Sequence, residues 1–166
     1  RLDRTVAQIA EADVDGVLLF DPMNVMYVTY APNMQVWLLH NQARYAFVGA
    51  NGTLVLFDYP NCEFLSAHNP FVSEVRPARN FTWFLSGDRI DEGAKGFAQE
   101  VADLAQIHGA GTRRIAVDSS TTLGITSLQD QGLSLVEGTR IMEEARKIKG
   151  AVRFPMLMTL VVSHSN

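Results

Sequence analysis

Val17-Leu18-Leu19-Phe20, followed at once by Asp21-Pro22-Met23-Asn24-Val25-Met26-Tyr27-Val28-Thr29, is the stretch on which the fold turns. Four unbroken apolar residues suit a strand buried on both faces, as in a sheet covered by helices. Pro22 has no N–H to give to a ladder, so the strand stops before it. Asp21 ahead of Pro22 matches a helix N-cap and first helical position, which predicts a short helix over 22–26. Upstream, Leu2, Val6, Ile9 and Ala10 recur at helical spacing with charges on the other face, so a first helix ends near Ala12. Asp15-Gly16 then turns the chain into the strand.

Downstream, 44–50 reads as a strand, and Asn51-Gly52 is a two-residue hairpin signal leading into a partner strand over 53–59. Pro60 ends that strand, with Asn61 as the expected cap of a short helix through Ala67, and 72–75 is a candidate edge strand. The clearest helix is 88–108. Ile90, Ala94, Phe97, Val101, Leu104 and Ile107 make its apolar stripe, and Gly109-Ala110-Gly111 closes it with a residue expected at positive φ. Strands over 114–118 and 133–136 alternate with helices over 120–131 and 140–149. Alternation of this kind means an α/β fold with parallel pairing, to which the Asn51-Gly52 hairpin adds antiparallel pairing. The sheet is expected to be mixed and flanked by helices.

With 166 residues the chain has room for one domain and a real core. Its net charge of −4, with no basic cluster, argues against nucleic acid. No apolar run reaches the roughly 20 residues of a membrane span. Cys62 stands alone, so no intrachain disulfide forms and a reducing, cytoplasmic setting is expected. Arg1-Leu2-Asp3-Arg4 has no apolar core of a secretory leader, and the missing Met suggests a trimmed start.

His40, His68, His108 and His164 are scattered and share no metal-ligand spacing, so no metal site is expected in this chain. No Gly-x-Ser-x-Gly elbow and no phosphate-binding glycine motif occurs. Ser119-Ser120, with His40 or His68, is the nearest thing to a nucleophile pair. Ser120 or Thr121 reads better as a helix N-cap. The segment 30–44 mixes Tyr30, Asn33, Met34, Gln35, Trp37, His40, Asn41 and Arg44, as recognition loops do. The alternative is that Trp37 and its apolar neighbours anchor that segment to the core. Trp37, His40 and Arg44 are the candidate substrate-proximal residues. Phe81-Thr82-Trp83-Phe84 is a second aromatic group, packing either on that segment or on a partner.

The order of these pieces resembles the N-terminal domain of the creatinase/prolidase family of metalloenzymes. The resemblance rests on Asp15-Gly16-Val17-Leu18-Leu19-Phe20, on Asp21-Pro22-x-Asn24-x-x-Tyr27-x-Thr29, and on the strand pair over 44–59. It continues through the long helix, Arg114-Ile115-Ala116-Val117-Asp118 and Glu144-Ala145-Arg146-Lys147-Ile148-Lys149, which looks like the segment joining the family's two domains. It implies a ribonuclease H-like mixed sheet ahead of a catalytic "pita-bread" domain. The family includes Xaa-Pro dipeptidases and aminopeptidases, creatinases and lyases of dimethylsulfoniopropionate. Within it, Asn33-Met34-Gln35-Val36-Trp37 and Arg44-Tyr45-Ala46-Phe47-Val48 look closest to the lyase-like branch.

The resemblance also implies a two-metal site in a C-terminal domain whose ligand motifs are absent here. This chain is then inactive alone, and its parent is a metal-dependent, Xaa-Pro peptidase-like hydrolase or a lyase-like member. Its expected partners are its own catalytic domain and a second subunit, with the N-terminal domain helping to form the dimer and to shape the active-site entrance. A stand-alone dimerisation or binding module is the competing reading. The family pattern spans 1–149. The stretch 150–166 departs from it, has no acidic residue, and is expected to pack on its own domain or on a second copy.

Overall fold

A computed structural model of the chain describes residues 1–32, 38 and 41–147. Six strands form one sheet in the order β4-β3-β2-β1-β5-β6. Strand β1 (Gly16–Leu19) pairs antiparallel with β2 (Tyr45–Gly49) and parallel with β5 (Arg114–Val117). Strand β3 (Leu54–Asp58) is antiparallel to β2 and parallel to the edge strand β4 (Glu74–Pro77). Strand β6 (Ser134–Glu137) lies parallel to β5 at the other edge. The expected mixed sheet is present.

Helices cover both faces, and side chains alternate between two cores as the pleat requires. Leu18, Phe47, Val55, Phe57 and Ile115 face one core, closed by α4 (Ile90–His108) and α5 (Thr122–Asp130). Val17, Leu19, Ala46, Val48, Leu56 and Ala116 face the other, closed by α1 (Leu2–Glu11), α2 (Pro22–Thr29) and α6 (Thr139–Lys147). Strands β1, β2 and β3 are buried along their whole length, which is why they carry no polar alternation. A short helix α3 (Trp83–Ser86) lies between β4 and α4.

Several expectations shift. Helix α2 runs on to Thr29 because Val25, Val28 and Thr29 are buried, and Tyr30 ends it in the left-handed region at φ 57°. The hairpin loop has three residues rather than two. The Gly49 N–H donates to Thr53 O, the Gly52 N–H donates back to Gly49 O, and Gly52 takes φ 87°. Asn61 does not cap a helix. It takes φ 69°, and only a 3-10 turn (Glu63–Leu65) follows. The edge strand starts at Glu74, two residues late. Gly109 closes α4 at φ −87°. A Cβ there would meet Ala105 O at 2.3 Å and the Asp15 side chain, so close approach demands glycine at 109, while Gly111 is the residue of the closing run that takes the expected positive φ, 83°. Ile107, assigned to the α4 stripe, is 67% exposed; Ala98 and Ala105 complete the stripe instead. The last helix ends at Lys147 within the described residues. The stretch 150–166 lies outside them.

Candidate functional site at the carboxyl end of the sheet

Strands β1, β3, β4, β5 and β6 finish at one end of the sheet, and β2 starts there. Open α/β sheets carry their sites at that end. The Asp21-Pro22 motif sits on it. Asp21 accepts hydrogen bonds from the N–H groups of Met23 (2.8 Å) and Asn24 (3.0 Å), the cap that its sequence position foretold. The other polar residues of the motif tie α2 to the rest of the domain. Asn24 Nδ2 donates to Asp118 Oδ2 at 2.9 Å. The Tyr27 hydroxyl donates to the Ala145 carbonyl of α6 at 2.7 Å. Thr29 Oγ1 donates to Val25 O at 2.7 Å and accepts from the Ala31 N–H at 3.1 Å. Their spacing is therefore architectural.

Asp118, just past β5, accepts from Phe20 N (2.8 Å), Asp21 N (3.2 Å) and Asn24. Burial pushes its carboxyl up from the usual range, against those hydrogen bonds, and the nearby Asp21 carboxylate adds to the rise.

Arg44 and Asp58 form a second polar cluster. They face each other at the mouth of the β2–β3 hairpin, one step beyond the Tyr45↔Phe57 pair. Arg44 Nε meets Asp58 Oδ1 at 3.1 Å, with 3% and 0% of the two side chains exposed. Asp58 Oδ1 also accepts from the Tyr59 N–H, and Oδ2 accepts from the Ser66 hydroxyl at 2.6 Å. Arg44 Nη1 donates to Ala31 O at 3.1 Å, closing the base of the 31–44 segment, while Nη2 is buried without a partner among the described residues. Burial pulls the Arg44 guanidinium down, and the Asp58 carboxylate holds it up. A fully desolvated pair of this kind adds little net stability but is costly to break.

Of the sequence-stated candidates, Arg44 is therefore placed at this end as a buried, ion-paired group. Trp37 and His40 lie outside the described residues. Ser120 Oγ donates to Gln42 Oε1 at 3.4 Å rather than to a histidine, and the Thr121 N–H also donates to Gln42. Thr121 caps α5 through Gly124 N at 3.1 Å, as its position suggested. The aromatic group splits. Phe81 is 1% exposed and packs against Phe20, Tyr45 and Phe97, whereas Trp83 and Phe84 are 66% and 76% exposed.

Asp58 was missed in the sequence, because the two-residue loop expected at Asn51-Gly52 sets 44 against 59. The observed three-residue loop over 50–52 pairs 45 with 57 and so brings 44 against 58. Gln42 carries no local signal either.

The resemblance implies a divalent metal pair, and the residues here do not fit one. Among the described residues no three His, Cys, Asp or Glu side chains are grouped to hold a metal. Asp58 and Asp118 already accept three protein donors each. Among the described residues, Ser120 bonds Gln42 and Ser66 bonds Asp58, and neither meets a histidine. The hydrogen bonds of Asp118, Arg44 and Asp58 tie the loops at this end to the sheet.

No protein-family model matches the sequence. Two curated relatives do, both described as dimethylsulfoniopropionate lyase DddP. The protein from Roseovarius nubinhibens is 41% identical over 150 residues, covering 90% of this chain and 34% of that protein. The one from Roseobacter denitrificans is 42% identical over 135 residues, covering 81% and 30%. The chain thus spans about a third of the length of the curated relatives it matches. Among solved structures, the N-terminal domain of the cytoplasmic peptidase PepQ from Mycobacterium tuberculosis superposes with a TM-score of 0.59. That match covers 87% of this chain and 97% of that domain at 18% identity, a likeness of fold.

The chain is a sequence relative of the dimethylsulfoniopropionate lyases, built on the fold of a prolidase-type N-terminal domain. The Asp21-Pro22-Asn24-Tyr27-Thr29 motif and the ordered strands that carried the resemblance are the elements that build this fold. No helix among the described residues is long and apolar enough to cross a membrane.

Proposed function

We propose that this chain is the non-catalytic N-terminal domain of a dimethylsulfoniopropionate lyase-like member of the creatinase/prolidase family. The observation that carries the reading is the 41% identity over 150 residues to a lyase of which those residues make up 34%. The remainder of such a protein is long enough for the catalytic domain, and the divalent metal pair belongs there. The domain serves to form a homodimer and to shape the active-site entrance, with Trp37 and His40 as the substrate-proximal residues and Arg44, buried against Asp58, holding the base of the 31–44 segment. The fold spans 1–149, with 150–166 as an appendage. A cytoplasmic location accords with the unpaired Cys62.

The family fold also serves Xaa-Pro peptidases, which is the second reading. Assay of the full-length protein decides between them. Release of dimethyl sulfide from dimethylsulfoniopropionate, with no cleavage of Xaa-Pro dipeptides, is expected. Peptide cleavage without sulfide release would move the chain to the peptidase branch. Removing the metal should abolish either activity while leaving the fold of residues 1–147 intact by circular dichroism.

A further inference from the structure

We infer that Asn51 is a site of self-catalysed deamidation, in which the Gly52 nitrogen attacks the Asn51 side-chain amide while His108 protonates the nitrogen that leaves. The inference is independent of the function proposed above. It rests on three groups that the hairpin loop and the end of α4 gather around one amide. The Thr53 N–H donates to Asn51 Oδ1 at 3.0 Å. That donor fixes which side of the amide is oxygen, so the nitrogen faces the other way. There Asn51 Nδ2 lies 3.1 Å from His108 Nδ1. The nucleophile is next in the chain, where Gly52 has no side chain to shield its nitrogen.

Main-chain bonds hold this meeting of residues 57 positions apart. The Asn51 N–H donates to His108 O at 3.2 Å, and the Ala50 N–H donates to Asp15 O at 3.0 Å. Gly49 lies so near the helix end that a Cβ on it would be 2.7 Å from the His108 Cβ. Asn51 is exposed, so water reaches the amide. One bond acts as a brake. The Gly52 N–H is held by Gly49 O at 2.9 Å and must be released before its nitrogen reacts. Asp15-Gly16 could close the same kind of ring but is locked. Its carboxylate takes three N–H groups, and Gly16 lies inside the sheet between β2 and β5.

The steps balance with water as the co-reactant. The Gly52 N–H gives its proton to solvent, and the nitrogen bonds to Asn51 Cγ. The charge that develops on Oδ1 is met by the Thr53 N–H. Proton transfer from an imidazolium Nδ1–H to Nδ2 lets the Cγ–Nδ2 bond break, and ammonia leaves. The imidazole regains its proton from solvent. The cyclic imide then takes up one water at either carbonyl. Opening at the side-chain carbonyl leaves an aspartyl residue, and opening at the main-chain carbonyl leaves an isoaspartyl one. Both add a negative charge. The isoaspartyl form also adds a carbon to the main chain of the loop that sets the β2–β3 register.

The test is timed incubation of the full-length protein in neutral buffer, followed by mass-spectrometric mapping of the peptide that carries position 51. Wild type, His108→Ala and His108→Gln are compared, each folded and each in urea. His108→Gln can keep a hydrogen bond to Nδ2 but has no proton to give up. Folded wild type is expected to yield a mixture of aspartyl and isoaspartyl product, at a rate that falls about tenfold in both variants. In urea all three should react alike, since nothing then holds residue 108 at the amide. Asp15, locked by the fold, should stay unmodified in buffer and marks each variant as folded. Absence of isoaspartyl product at position 51 in folded wild type overturns the inference. An equal rate in folded His108→Gln and wild type overturns it too. A faster reaction in both variants also overturns it, making the His108 contact a restraint that protects Asn51.

Discussion

Two carboxylates at opposite ends of the sheet do the same geometric work under opposite electrostatics. Asp15, at the amino end of β1, accepts from the N–H groups of Ala110 (2.8 Å), Thr112 (2.8 Å) and Arg113 (2.7 Å). Asp118, at the carboxyl end, also takes three donors, yet its carboxyl is pushed up while that of Asp15 is pulled down. Asp15 is covered by the 110–113 turn but lies at shallow depth. Desolvation, its largest single influence, is outweighed by the combined hydrogen bonds. Asp118 is set deeper in protein, with the Asp21 carboxylate nearby, and there desolvation wins. The amino end is thus built for stability. The carboxyl end tolerates a disfavoured carboxylate, a buried ion pair with a spare guanidinium donor, and bare aromatic side chains. A fold places such expensive features where it has some other use for them.

The largest break in this contrast is expected at the ion pair. Asp58→Ala strands the Arg44 charge in the interior and should cost about 4 kcal/mol in urea unfolding. An apolar pair, Arg44→Met with Asp58→Leu, should recover most of that loss, which would show that the pair is not kept for stability. Next comes Asp15→Ala, which orphans three backbone N–H groups. It should cost about 3 kcal/mol, and an effect below 1 kcal/mol would contradict the stabilising role of the amino end. Gly93→Ala tests the seating of the aromatic segment. Alanine in a helix interior normally gains about 0.5–1 kcal/mol over glycine. The collision with Asn80 O should reverse that sign, and thermal melting would detect it.

The smallest and sharpest test is pH. The Asp118 carboxyl titrates higher in the folded than in the unfolded chain. Between the unfolded value, about 3.9, and its raised native value, the native state holds more protons. Its contribution therefore falls as pH rises through that window. Asp15 titrates lower when folded, so its contribution is present above the unfolded value and lost as pH falls through its lowered native value. Compared with Asp118→Asn, wild-type stability should shrink with rising pH. Compared with Asp15→Asn, it should grow. Parallel slopes in the two comparisons would mean that both ends of the sheet share one electrostatic regime.

Much of the architecture was legible in the sequence because it rests on short-range physics. The unbroken run Val17-Phe20, Pro22 behind an N-capping Asp21, Asn51-Gly52 between two apolar stretches, and the stripe from Ala94 to Leu104 each state their structure within a few residues. Errors fell where a distant group decided the outcome. Gly109 lies against the Ala105 carbonyl and the side chain of Asp15, which is far away in the chain, and Ile107 follows the helical period but is 67% exposed among the described residues. The site was less legible. Arg44 was picked out, while its partner Asp58 was set by a three-residue loop that the Asn51-Gly52 pair does not announce. Trp83 and Phe84 were noticed without any sign that Phe81 would turn inward and they outward.

By itself, then, the sequence determined the order of strands and helices and the mixed character of the sheet, since periodicity, capping and turn chemistry are local. Only the tertiary structure decided that the Asp15 carboxyl is pulled down while that of Asp118 is pushed up, that Arg44 is buried against Asp58, and that Trp83 and Phe84 are exposed among the described residues while Phe81 turns inward. Those properties depend on depth and on partners brought together from distant parts of the chain, and no local pattern encodes either.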